Sequence, residues 1–129
     1  MKTLTTLALT ALAGATIGAL AVERIHAQTR KPPAAYYVVE LDVSNEDVFS
    51  KQWSPKAEET ISAAGGVYLV RSADVERIEG TAPKRLLITR WENLDKLAAW
   101  RESDAYMKTL PLLDKAVRSV RSYAVEGVN

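Results

Sequence analysis

The 129-residue chain contains no cysteine and a single histidine, His26. Without cysteine it can form no disulfide, no zinc–thiolate site and no thiol nucleophile. With one histidine, placed close to the N-terminus, neither a serine–histidine triad nor a haem or histidine–metal centre can be built in the body of the chain. Excess charge of one sign is missing too. Seventeen Lys and Arg stand against 16 Asp and Glu, whereas a nucleic-acid binder needs clustered, unopposed cations. Asp42, Glu76 and Glu79 are carboxylates that a hard cation could use, but their spacing matches no metal loop. No metal and no cofactor are therefore expected.

What is present reads as one globular domain behind a separate N-terminal segment. An apolar fraction of 47% with 26% charged residues is ordinary for a folded chain. Lys2 is followed by an uncharged run from Leu4 to Ala21, rich in Ala, Leu, Thr and Gly. This is the charged start and apolar middle of an export signal. Small residues offer two cleavage points, before Gln28 and before Val22, and the first sets the expected boundaries: a signal over 1–27, a linker over 28–34 and a domain over 35–129. An exported, periplasmic protein follows, with a membrane anchor through residues 4–21 as the alternative if the segment is not cut. Removing residues 1–27 takes away Lys2, Arg24 and Glu23 and leaves 15 bases and 15 acids. The linker carries Lys31-Pro32-Pro33, a stiff polyproline II tether.

The domain is organised around the stretch from Gly65 to Trp91. Gly65-Gly66 closes a preceding helix, because glycine adopts the left-handed C′ conformation without a Cβ penalty. Val67–Val70 then reads as a strand, and Arg85–Trp91 as its partner, with Leu86 and Ile88 on one face and Leu87, Thr89 and Trp91 on the other. The polar residues between these strands are expected to form an extended hairpin arm. Upstream, Tyr36–Val43 alternates as a strand, with Tyr37, Val39, Leu41 and Val43 on one face. Ser44-Asn45 offers an N-cap for a kinked helix over roughly 46–64, with Ser54 as a second cap and Pro55 in the first turn after it. Downstream, Asn93 and Ser103 cap helical turns, Pro111 is expected to kink the last of them, and Arg118–Val128 is the final strand.

The order strand, helix, strand, strand, helix, strand predicts an α+β, ferredoxin-like βαββαβ fold: a four-stranded antiparallel sheet with two helices on one face. The opposite sheet face also carries Val, Leu and aromatic side chains. It is expected to pack on a second copy, making the chain a homodimer.

The aromatic start YYVVELDV at Tyr36, Gly65-Gly66 with Leu69 and Arg71, Glu79-Gly80 with Arg85, Trp100 with Ser103 and Tyr106, and the ending VEGV from Val125 resemble the domain of unknown function 1330 family. The resemblance runs from Ala35 to Val128. It implies a dimeric α+β barrel of two ferredoxin-like subunits packed sheet to sheet. Superfamily relatives include cofactor-independent monooxygenases, muconolactone isomerase and haem-dependent chlorite dismutases, so this architecture does not select a chemistry. Two positions depart from the family pattern: Arg90 stands where a glutamate is expected, and Leu113 where relatives often show arginine. An acid and base pair made by those positions in relatives would be absent or reversed here.

Aromatic and arginine residues make up the candidate site. Trp53 and Trp100 are expected ligand walls, Arg71 and Arg85 anion clamps, and Glu79 a ligand contact; Glu79 or Tyr106 would move a proton if the site is catalytic. Core packing competes for both tryptophans and for Tyr106, and an Arg71–Glu79 ion pair competes for the arm. Two functions follow. One is an exported dimer that binds a small organic ligand or is only structural. The other is a cofactor-independent isomerase or monooxygenase-like enzyme acting on a small organic acid or aromatic.

Overall fold

The structure, a computed structural model, describes residues 30–129. The expected leader over 1–27 lies outside the described residues. Four strands, β1 (Ala35–Val43), β2 (Val67–Ser72), β3 (Arg85–Trp91) and β4 (Val117–Glu126), form one sheet in the order β2-β3-β1-β4. Every neighbouring pair is antiparallel. The ferredoxin-like α+β fold expected from the element order is the fold observed.

Alternation decides which side of β1 is covered. Tyr37, Val39 and Leu41 are buried, while Tyr36, Val38 and Glu40 between them are only half-buried. On β3, Leu87, Thr89 and Trp91 are buried with them. The helical segments lie over this face and contribute Phe49, Trp53, Ala57, Ile61, Leu97, Trp100, Tyr106, Leu113 and Ala116 to a single core.

The first helical region is continuous but not uniform. Helix α1 (Glu46–Val48) begins where Asn45 Oδ1 accepts from Val48 N–H at 3.2 Å, leads into a π-helical turn (Phe49–Trp53), and resumes as α2 (Ser54–Ala63). In the π turn, Ser54 N–H reaches the Phe49 carbonyl five residues back. Pro55 explains the widening: its ring crowds the carbonyl four residues before it and it has no N–H to donate. The expected cap at Ser54 is therefore replaced by a helical Ser54 with no capping bond. Helix α2 ends in a Schellman motif, with Gly65 N–H donating to the Ser62 carbonyl and Gly66 N–H to the Ile61 carbonyl. Gly65 takes φ +88°. Gly66 serves close approach instead, since a Cβ there would lie 2.7 Å from the Trp91 ring.

The second helical region comprises α3 (Leu94–Arg101), α4 (Asp104–Met107) and α5 (Leu110–Ala116). Asn93 and Ser103 cap the first two as expected, through Lys96 N–H at 2.9 Å and Tyr106 N–H at 3.2 Å. Pro111 does not kink a longer helix. It sits in the first turn of α5, where a missing N–H is not needed. Residues 73–84 also differ from expectation, forming an irregular exposed connection rather than a paired arm.

The sheet face away from the helices mixes apolar and ionic rows. Tyr36, Val38, Ile88, Tyr123 and Val125 share it at one end. At the other, Arg121 donates twice to the Glu40 carboxylate, and Asp42 is held by Lys84 at 3.1 Å and Arg118 at 3.2 Å. The hydrogen bond from Arg121 holds the Glu40 carboxyl below its ordinary range, and that from Lys84 does the same for Asp42. Both carboxylates are sheltered by the cations lying over them rather than by depth in the fold. A depressed carboxylate pKa contributes stability that is present above the unfolded value of about 4 and is lost as pH falls through the lower folded value. Melting temperature should thus hold from neutral pH down to about 4 and drop below it. The Glu40→Gln, Asp42→Asn double variant should show a shallower drop, and an equally steep one would remove these pairs from the account.

Candidate functional site

Three indoles meet the core, and two of them are satisfied within the protein. Trp91, 1% exposed, donates from Nε1 to Thr89 Oγ1 at 2.9 Å. Trp100 donates to Thr60 Oγ1 at 3.0 Å, and Thr60 passes its own proton to the Ala57 carbonyl at 2.8 Å. Trp53, 5% exposed, has a buried Nε1 with no hydrogen-bond partner among the described residues.

Trp53 lines a cavity between the sheet and the helices. The sheet supplies a floor through one register row, in which Tyr68, Thr89 and Tyr37 stand side by side across β2, β3 and β1. Helix α2 contributes Ala57 and Ile61, and the second helical region contributes Trp100, Tyr106 and Leu113. Val120 of β4, 44% exposed, forms the wall nearest solvent. The rings are mutually packed: Trp100 lies 4.1 Å from Tyr106, 4.9 Å from Trp91 and 5.8 Å from Tyr37, centroid to centroid. About 30 Å³ is open to the centre of a water-sized sphere. That is room for a water or two, whereas a benzene-sized guest occupies a cavity of roughly 150 Å³. An organic ligand therefore requires a wall to move outward. Tyr68, half-buried on an edge strand next to a ladder irregularity, and the exposed Val120 are the least enclosed of the walls.

The cavity opposes negative charge on its own hydroxyls. Burial pushes the Tyr68 phenol up, with Arg71 acting weakly in the other direction. It pushes Tyr106 up much further, to well above the ordinary tyrosine range, and nearby Tyr37 adds to the effect. Tyr106 can donate a proton in a hydrogen bond but cannot serve as a base near neutral pH.

The residues expected to form the site divide into two groups. Trp53, Trp100 and Tyr106 converge on the cavity. Arg71, Glu79 and Arg85 do not line it. Arg71 lies over the Tyr68 ring at 4.5 Å and pairs with Glu58 of α2 at 2.9 Å. That contact takes the place of the expected Arg71–Glu79 pair. Arg85 lies over Phe49 at 4.6 Å, and its guanidinium forks onto Glu46. Each arginine is drawn to a helix carboxylate and strapped over an aromatic ring, so its charge is spent holding sheet to helix. Glu79 stays exposed in the 73–84 connection. Arg90 is exposed on the uncovered face beside Tyr36 and Val67, while Leu113 lines the cavity.

Sequence reasoning missed Tyr37, Tyr68 and Thr89 as site residues, although a signal existed. Thr89 is the one polar side chain in the inward row Leu87, Thr89, Trp91, and strand pairing aligns both tyrosines with it. Among the described residues no cluster of His, Cys, Asp or Glu could hold a metal ion, and no helix is long and apolar enough to cross a membrane.

The family model described as Domain of unknown function (DUF1330) matches residues 34–128. No curated protein sequence matches the chain. Among solved structures, a protein of unknown function from Rhodopseudomonas palustris superposes with a TM-score of 0.65 at 8% identity, over 84% of this chain and 92% of its own. SnoaB, a cofactor-independent oxygenase from Streptomyces nogalater, gives a TM-score of 0.53 at 12% identity, over 75% and 95%. A dimeric protein of unknown function with a ferredoxin-like fold from Bacteroides fragilis gives 0.51 at 12%, over 73% and 96%. At such identities the likeness is one of fold.

Proposed function

Because this chain belongs to the DUF1330 family, whose description assigns no reaction, we propose a function from the site itself: a homodimer that binds a small apolar molecule in the aromatic cavity. One observation carries the reading, the unsatisfied Trp53 Nε1 on a side chain that lines a cavity of packed rings. Buried donors without partners are rare in native folds, and this one belongs to a ring bordering open space in which an acceptor can sit. Among the described residues the lining contains no carboxylate, histidine or lysine. It therefore holds no group that titrates near neutral pH, which favours capture over turnover. The dimer is supported by β4, exposed along nearly its whole length with Tyr123 46% and Val125 47% exposed, and by the dimeric neighbour from Bacteroides fragilis.

A second reading rests on the likeness to SnoaB, described as a cofactor-independent oxygenase. In that case the same cavity would hold a substrate that reacts without a protein base, with the Tyr106 hydroxyl as a donor beside it.

Titration with toluene, followed by the fluorescence of the three tryptophans, tests the binding site. Saturable quenching is expected in the wild type. Val120→Phe, which fills the cavity from its solvent side without entering the core, should weaken it by about tenfold or more. Absence of saturable quenching, or binding indifferent to that substitution, would remove the cavity as the site.

A further inference from the structure

Resting on the binding reading above, we infer that the cavity selects uncharged, flat molecules presenting one hydrogen-bond acceptor to Trp53 Nε1, of the class of aryl ketones and aryl amides, and rejects carboxylates. An indole N–H only donates, so the group it lacks must be an acceptor. The other two indoles already have theirs, in Thr89 and Thr60. Among the three tryptophans Trp53 is thus the one whose donor has no partner among the described residues; its Nε1 is closed to water, so a guest reaches it as the Tyr68 and Val120 walls give way.

Charge selection follows from what surrounds the guest. Among the described residues no Lys, Arg, Asp or Glu lines the cavity. The Arg71 guanidinium sits against the Tyr68 ring and is engaged by Glu58; Arg101 lies over the Tyr37 ring at 5.4 Å. Neither reaches the interior as a lining group. The elevated phenols of Tyr68 and Tyr106 report how the site treats an oxygen anion, because burial outweighs the favourable influence of Arg71 on one and Arg101 on the other. A guest carboxylate would meet the same environment and lose its hydration without gaining a cation. Flatness follows from walls made of the Trp53, Trp100 and Tyr106 rings, which offer faces and edges to a planar guest.

The test uses three probes of similar size: acetophenone, which carries a neutral acceptor; ethylbenzene, which carries none; and benzoate, which carries a charge. In the wild type at neutral pH, acetophenone should bind at least about thirtyfold more tightly than benzoate. Trp53→Phe should lower the acetophenone-to-ethylbenzene affinity ratio by about fivefold, the value of one hydrogen bond. Arg71→Ala, which removes only a weak and distant favourable charge, should raise the acetophenone-to-benzoate ratio by no more than about twofold, and a rise of about tenfold or more would make Arg71 an anion clamp and overturn the inference. Should Trp53→Phe fail to fold, the Trp53 indole N–H resonance of the wild type gives the same answer, moving downfield with acetophenone and not with ethylbenzene. Benzoate binding as tightly as acetophenone overturns the inference. So does a ratio unaffected by Trp53→Phe together with an unmoved indole resonance, which would mean that a buried water holds Trp53. In both of those cases ethylbenzene still binds and the cavity reading stands. Failure of all three probes to bind overturns the cavity reading and the inference together.

Discussion

Trp100→Ala is expected to lower the stability of the domain by about 4 kcal/mol, near the top of the range for a core aromatic. The position joins more of the core than any other ring. It stacks on Trp91, Tyr106 and Tyr37, from two strands and a neighbouring helix, and its Nε1 holds Thr60 of α2. Each aromatic pair adds about 0.5–1.5 kcal/mol beyond area burial, and the unpaired Thr60 oxygen adds a desolvation cost. A domain of this size has roughly 5–15 kcal/mol in total, so the variant should be partly unfolded under mild conditions. Trp100→Phe keeps a ring in the stack and loses the hydrogen bond, and should cost about half as much. Urea unfolding of both variants gives the comparison. A loss under about 1 kcal/mol for the alanine would mean that the ring stack is not the centre of the core.

Val38→Asp should split the homodimer proposed above. Val38 stands in the centre of the uncovered face, flanked in register by Ile88 on β3 and Tyr123 on β4. In a symmetric sheet-to-sheet pair the substitution enters the interface twice, once from each copy. A buried, unpaired carboxylate costs several kcal/mol, so dimer affinity should fall by about a hundredfold or more. The helix-covered core is untouched, and the variant should stay folded as a monomer of lower apparent stability, since dissociation removes the mass-action contribution of the partner. Sedimentation velocity of both proteins at micromolar concentration reads the result. A monomeric wild type would end the dimer proposal, and a dimeric Val38→Asp protein would move the interface to another surface.

The fold was largely legible because its determinants are local. Alternation in Tyr36–Val43 set the covered face, the Gly65-Gly66 pair ended a helix, and Asn45, Asn93 and Ser103 each cap the turn they precede. The π-helical turn was not legible, because Pro55 signals a disturbance without saying whether the chain kinks, caps or widens. The lining of the candidate cavity was legible by half. Trp53, Trp100 and Tyr106 belong to it by burial, which their size and apolar character promote. The arginines were misplaced for a reason outside the strands that carry them: Glu58 and Glu46, on the facing helical region, sit within reach of Arg71 and Arg85 and take up their charge. Which carboxylate an arginine meets is a property of the tertiary arrangement, and no spacing within the hairpin encodes it.

The sheet order carries a consequence for how the protein comes into being. Of the four described strands β1 is synthesised first, yet it occupies an interior position whose two neighbours, β3 and β4, come much later. Ala35 pairs on one side with Trp91 and on the other with Glu126, at the far end of the domain. At a translation rate of about 5–20 residues per second, β1 waits for several seconds with both edges open. A chain halted before Val117 contains the whole aromatic cluster and still leaves one edge of its central strand unpaired. The ribosome must deliver nearly the entire domain before the sheet can close.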